Sequence, residues 1–249
     1  MKAMGKGVRI AIIGGAGKMG RWFARFLQKE GMEVVITGRN QAKLLEAKQH
    51  LGVEVTTNVE AAKKADVLLL SVSIESFEKV VEEISPYTRP NQIIVDITSI
   101  KASPVEIMHK HIKRGIVLGT HPMFGPGVKD IARKSFVLTP TSAEEEDLAQ
   151  RVRAYLETRG ARATLMTPQQ HDEMMTIILG LSHFIAIVSA DTLLSFNRLK
   201  QMESIGGSTY KMLLTLAKSI ISEDPEFYAS LQMSLPNMVE TEELLQKRS

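Results

Sequence analysis

Cysteine is absent from this chain of 249 residues. That absence excludes disulfides, thiolate nucleophiles and Cys-ligated zinc, and it gives no sign of secretion. Charge of one sign is scarce too: 31 Lys and Arg stand against 28 Asp and Glu, a net charge of +3, spread along the chain. A nucleic-acid footprint needs clustered cations, so small anionic ligands are expected instead. Met1 to Gly7 run straight into a strand-like stretch, and no signal peptide is expected. The longest apolar stretch, Met174 to Ala190, is broken by Thr176, Ser182, His183 and Ser189, and is expected to fall short of a membrane span. No metal centre is expected: His109 and His111 are two apart on a helix and point to different faces. His171 precedes His183 on the same helix by about 18 Å at 1.5 Å per residue, so the two are not expected to share a site. With His50, His109 and His111, it reads as a surface or packing residue. These exclusions leave a cytoplasmic protein without membrane or nucleic-acid partners. Its 44% hydrophobic content can build one large domain or two modest ones.

What is present is a regular alternation. Apolar runs at Val8–Ile13, Glu33–Thr37, Val53–Thr56, Asp66–Ser71, Gln92–Ile97 and Gly115–Gly119 read as strands, with helix-patterned segments between the first five and from Ser103 to Lys113. Such alternation predicts an α/β fold with a doubly wound parallel sheet. Phe136–Thr139 and Ala163–Met166 flank a helix from Ala143 to Arg159 and should extend the same sheet. Glu144 to Asp147 read as the solvated first turn of that helix. After Thr167 the period changes. Thr167-Pro-Gln-Gln170 is a helix start, and the run to about Arg198 is apolar nearly all round, which predicts a helix buried on most sides. Further helices follow over Tyr210–Ser222 and Pro225–Met233. The expected division is residues 1–166 and a smaller all-helical domain over 167–249.

Gly15, Gly17 and Gly20 match G-x-G-x-x-G after a strand and at the opening of a helix. The first permits a tight turn, the second close backbone approach to a pyrophosphate, and the third helix-on-strand packing, while the helix N-terminus presents N–H groups to phosphate. Gly15, Ala16, Gly17, Lys18, Met19 and Gly20, with Ser71 at the end of the fourth strand, are therefore candidate cofactor-binding residues of a Rossmann-type domain. Where NAD enzymes carry an acid after the second strand, this chain reads Thr37-Gly38-Arg39-Asn40. Arg39, assisted by Thr37 and Lys43, suits a 2′-phosphate, so NADP is expected, with NAD as the alternative.

Asp96-Ile-Thr-Ser99-Ile-Lys101 ends one strand, and Thr120-His121-Pro122-Met-Phe-Gly-Pro126 follows the next as a turn. With the glycine loop, these two elements resemble the prephenate dehydrogenases of tyrosine biosynthesis, in particular the archaeal form. The likeness extends through Leu179–Ile185 and Asp224–Met233. It implies NAD(P)-dependent oxidative decarboxylation of prephenate to 4-hydroxyphenylpyruvate, or of the amino analogue arogenate to tyrosine. It further implies that His121 accepts a hydrogen bond from the reacting hydroxyl, that Ser99 orients that hydroxyl and the histidine, and that His183 lines the substrate side. Lys101 counts among the substrate contacts. In the family, arginines on the helix after the Gly206-Gly207 break bind a substrate carboxylate. Here Lys211 takes the place of one, and Lys218, beside Ser219, stands near the other; lysine binds a carboxylate as a point charge. Family members dimerise through the helical half, so a homodimer is expected.

Two other readings use the same glycine loop. A related two-domain NADP-dependent reductase of the imine, hydroxy-acid or deazaflavin type shares it, but the H-P-M-F-G-P turn argues against that reading. A non-catalytic NADP-binding sensor predicts cofactor binding without turnover and indifference to loss of His121.

Overall fold

The computed structural model describes residues 7–221 and 225–248, so the expected helix end at Ser222 and the Asp224 of the family-like segment lie outside the described residues. The chain forms two compact units, Met1–His171 and Asp172–Ser249. In the first, eight strands and their helices follow one another: β1 (Arg9–Ile13), α1 (Lys18–Lys29), β2 (Glu33–Thr37), α2 (Gln41–Leu51), β3 (Glu54–Val55), α3 (Asn58–Lys64), β4 (Val67–Leu70), α4 (Ile74–Ile84), β5 (Ile93–Asp96), α5 (Ala102–His111), β6 (Ile116–Pro122), β7 (Ser135–Thr139), α6 (Ala143–Glu157), β8 (Arg162–Leu165) and the start of α7 (Pro168–Met175), which passes into the second unit after His171.

The sheet order is β3-β2-β1-β4-β5-β6-β7-β8. Every pairing is parallel except β6 with β7. The order reverses at β1, between β2 and β4, which opens a crevice at the strands' carboxyl ends. β1 reads as an unbroken apolar run because both faces of the sheet are covered. Ile10 and Ile12 pack with Trp22, Leu44 and Leu148 on one side, and Ala11 and Ile13 pack with Ala61, Phe77 and Met108 on the other.

Three expectations are corrected in this unit. Thr120, His121 and Pro122 lie in β6 itself, not in a turn after it. Parallel pairing with β5 ends at Gly119, but antiparallel β7 carries the ladder on to Pro122. Thr37 is buried, and its hydroxyl donates to Asn58 Oδ1 at 2.5 Å, so it is not presented to a cofactor. Glu145 is buried too, accepting from the backbone N–H and hydroxyl of Thr141 rather than facing solvent.

The second unit contains a π-helical turn over Thr176–Leu181 and then α8 (Ser182–Ser195), α9 (Leu199–Ile205), α10 (Ser208–Ile221), α11 (Pro225–Ser234) and α12 (Met238–Arg248). The wide turn lies against α11, α12 and the link between them. A Cβ on Gly180 would sit 2.5 Å from Met238 Sδ, Gln232 Nε2 donates to the Gly180 carbonyl, and Thr176 Oγ1 donates to the Pro236 carbonyl. Ala186 and Ala190 of α8 face inward. The expectation of burial on most sides does not hold: Ile177, Ile178, Val188, Leu194 and Phe196 are about half exposed or more. By length and composition the 28-residue helical run Pro168–Ser195 also reaches what a membrane span needs, contrary to the expectation, because Met174–Ala190, between the charged Glu173 and Asp191, is interrupted only by mildly polar residues.

Candidate active site

The crevice beside β1 is shaped by glycines. Gly14 has φ +83°, and a Cβ there would lie 2.1 Å from the Ser71 carbonyl oxygen; on Gly15 it would lie 2.6 Å from Ile36, and on Gly20 2.6 Å from the Gly14 oxygen. The loop is therefore pressed onto β1, β2 and β4 with no room for side chains. The backbone N–H of Gly15 donates to the Thr37 carbonyl, and that of Gly17 to the Gly14 carbonyl. α1 begins directly after Gly17, which offers no side chain to the first-turn N–H groups. A cleft of about 230 Å³ lies here, lined by Gly14, Ala16, Gly17, Arg39, Lys43 and Ser71 among others, and no carboxylate is among the described residues lining it. This donor set fits a dinucleotide: small residues and helix N–H groups for the pyrophosphate, two cations for further phosphate. Lys18 and Met19 open α1, and Gly20 packs that helix on the loop. The sequence reading missed Arg21, whose guanidinium donates to the Ala16 and Lys43 carbonyls and pairs with Glu46, bracing both walls of the cleft. Nothing in its spacing marked it.

At the carboxyl ends of β5 and β6 a second, buried group of polar residues is tied together. Asp96 Oδ1 accepts from the Thr98 N–H at 2.8 Å and from the Lys101 ammonium. Lys101 also donates to the Thr120 carbonyl at 2.6 Å, and Thr120 Oγ1 donates to the Asp96 carbonyl at 2.7 Å. Lys101 is fully buried, so the structure gives it a different place from the expected substrate contact: it holds β5 to β6. Ser99 is half-buried at the apex of the turn that Thr98 closes toward the Ile100 carbonyl. The next residue of β6 is His121, 6% exposed, and its Nδ1 lies 2.9 Å from Nε2 of His171, which is 0% exposed. His171 was expected at the surface or in plain packing, without a site partner. It reaches His121 because a capping box, in which Gln170 N–H donates to Thr167 Oγ1 and Thr167 N–H to Gln170 Oε1, fixes the first turn of α7. Its neighbours Gln169, Gln170, Asp172 and Glu173 are polar, so nothing in the local sequence marked it as buried. Burial, with smaller contributions from His171 and the Lys101 ammonium, holds the His121 imidazole well below its usual pKa. At neutral pH it is an acceptor or donor, not a cation.

His109 and His111 turn to different partners, Thr141 and Glu78 respectively. Glu78, Glu82 and His111 bring ligand-type atoms within 4.8 Å of one another, but Lys110 occupies Glu78 at 2.8 Å, as in an ordinary surface ion-pair cluster.

In the helical unit, His183 stacks edge-on against Tyr228 with ring centroids 4.8 Å apart, and its Nδ1 is buried without a hydrogen-bond partner among the described residues. Burial lowers its pKa. Lys211 and Lys218 are exposed on α10, and Lys218 pairs with Glu203 at 2.5 Å.

Comparison with known proteins places these features. A family model described as prephenate dehydrogenase, nucleotide-binding domain, matches residues 23–165, and one described as prephenate dehydrogenase, dimerization domain, matches residues 167–247. A probable arogenate/prephenate dehydrogenase of Methanocaldococcus jannaschii is 37% identical over 238 residues, covering 94% of this chain and 53% of that protein. The T-protein of Haemophilus influenzae is 28% identical over 228 residues, covering 90% of this chain and 56% of that one. This chain thus spans about half the length of the curated relatives it matches. The crystal structure of prephenate dehydrogenase from A. aeolicus in complex with hydroxyphenyl propionate and NAD+ shares the fold, with a TM-score of 0.78 at 22% identity over 97% of this chain and 87% of that one.

Proposed function

The chain belongs to the prephenate dehydrogenase family, and from that premise we propose that it oxidatively decarboxylates prephenate, or its amino analogue arogenate, using a nicotinamide dinucleotide. The observation that carries the proposal is His121, a buried histidine kept neutral near the end of β6, in a unit that also holds a glycine-walled cleft suited to a dinucleotide. The bound nicotinamide supplies the hydride acceptor. The ring carbon bearing the hydroxyl loses hydride, the C–CO₂⁻ bond on the opposite ring carbon breaks, and its electron pair moves through the ring to make the phenol, so no net proton is released. Aromatisation drives the step, which leaves the protein to orient the substrate and to stabilise the hydroxyl as it gains carbonyl character. The neutral imidazole of His121 accepts a hydrogen bond from that hydroxyl. Ser99 orients the same group. We assign His183 to the substrate, and Lys211 and Lys218 to its carboxylates, as the family likeness implies.

Arg39 and Lys43 in the cleft support NADP as the preferred cofactor, bound on the backbone from Gly15 to Gly20 with Ser71. The two family matches support a domain boundary at 166/167 and a homodimer formed through the helical unit. We place the protein in the cytoplasm, where its small anionic substrate is handled without membrane or nucleic acid. The decisive assay incubates the protein with prephenate and with arogenate, each with NADP and NAD, and follows reduced cofactor and the aromatic product. No turnover in any combination rejects the proposal.

A further inference from the structure

The contact between His121 and His171 has a direction, and that direction decides what His121 can do. Their facing nitrogens, Nδ1 and Nε2, are 2.9 Å apart with ring planes at 68°. Between two neutral imidazoles at that distance, one nitrogen carries the proton and the other accepts it. If His171 were the donor, Nδ1 of His121 would be bare and its Nε2 would hold the proton. His121 would then present a donor to a hydroxyl that must itself donate. Loss of hydride from the carbinol carbon makes its O–H a stronger donor, so the site needs an acceptor at Nε2.

Resting on the reading that His121 meets the reacting hydroxyl, we propose that His171 is a positioning residue: its Nε2 accepts from Nδ1–H of His121 and fixes the tautomer in which Nε2 of His121 carries no proton. His171 is well placed for this. It is 0% exposed, its backbone N–H donates to the Thr167 carbonyl at 3.0 Å, and the capping box at Thr167 and Gln170 holds the turn that carries it. The charged and titratable groups around His121 are His171 on α7 and, after β5, Lys101 with its partner Asp96. An ammonium near His121 opposes its protonation, so the pair shares one proton rather than two. This makes the hydrogen bond a selector of tautomer, the task that partners of active imidazoles commonly perform.

The test uses the full chain with 15N-labelled histidine, at a pH where His121 is neutral and without substrate. Long-range 1H–15N spectra are expected to show a pyrrole-type Nδ1 and a pyridine-type Nε2 for His121; the opposite assignment overturns the proposal. In kinetics, His171→Leu is expected to lower kcat by about 10- to 100-fold with KM little changed. His171→Gln, which keeps an amide oxygen near the same place, is expected to recover most of that loss. Wild-type kcat in His171→Leu overturns the proposal as well. If the wild-type chain turns over neither substrate, the functional reading falls on its own, while the nitrogen spectrum still decides where the proton sits. That spectrum also decides the matter should His171→Leu fail to fold.

Discussion

Lys101 and Asp96 form an ion pair in which both side chains are 0% exposed, and the same ammonium donates to the Thr120 carbonyl at 2.6 Å. The pair therefore joins the end of β5 to β6 at the residue before His121. Its second carboxylate oxygen has no hydrogen-bond partner among the described residues and faces Gly119, where a Cβ would approach within 3.4 Å. A carboxylate so enclosed depends on Lys101 for its charge balance. Lys101→Met is expected to destabilise the fold by about 3–5 kcal/mol, the usual cost of stranding one member of a buried pair. Denaturant unfolding measures it, and a loss below about 1 kcal/mol would show that water or protonation relieves Asp96.

Arg39 and Lys43 line the dinucleotide cleft on the side where no acid stands. Arg39 is exposed, so its bond to a phosphate is screened. Arg39→Ala should weaken NADP binding by about tenfold, at the low end for a charge-assisted contact, and leave NAD binding unchanged. Calorimetric titration with both cofactors checks this. Equal losses for the two would make Arg39 a general cleft residue rather than a reader of the 2′-phosphate.

Burial holds His121 neutral, and this has a consequence for stability as well as for catalysis. Its folded pKa lies well below the unfolded value of about 6.5, so as the pH falls the unfolded chain takes up the proton first. The stability it contributes is complete above about pH 7 and is lost as the pH falls below about 6.5, by about 1.4 kcal/mol per pH unit until the folded pKa is reached. His183 acts in the same direction but is common to wild type and variant. Between pH 8 and pH 5.5 wild type should therefore lose more stability than His121→Asn. Equal pH dependence in the two proteins would mean that folding does not shift the pKa of His121. For the same reason the acid limb of kcat/KM should lie below pH 6.5.

How much of this was legible in the sequence depends on how local the cause is. The glycine loop was readable because its constraint is steric and short-range: Gly14, Gly15 and Gly20 each stand where a Cβ meets backbone or Ile36 within 2.6 Å. The strands were readable because a sheet covered on both faces needs apolar residues at every position. The extent of β6 was not, since the antiparallel partner that carries it to Pro122 arrives only at Phe136. The contact of His121 with His171 spans 50 residues and is set by the capped start of α7, which composition around either histidine does not reveal. Lys101 reads as a substrate contact in the segment after a strand, and only the fold shows Asp96 and Thr120 enclosing it.

The apolar run of the helical unit was misread for a related reason, and it yields the last prediction. An all-round apolar helix looks the same in sequence whether its own chain or another surface covers it. Within the chain, Ala186 and Ala190 are buried while Ile178, Val188 and Leu194 stand 50%, 48% and 55% exposed. A patch of that kind on a soluble protein marks an interface. A second copy of this unit is the occupant expected from the dimerization-domain match, whereas a lipid bilayer is the competing occupant that the length of Pro168–Ser195 permits. Sedimentation in buffer without detergent should give a dimer. Val188→Glu should raise its dissociation constant by roughly 30-fold or more, equivalent to about 2 kcal/mol at an interface hot spot. A wild-type monomer at tens of micromolar that partitions into lipid vesicles would assign the face to a membrane. A variant that still dimerises with unchanged affinity would move the interface elsewhere on the helical unit.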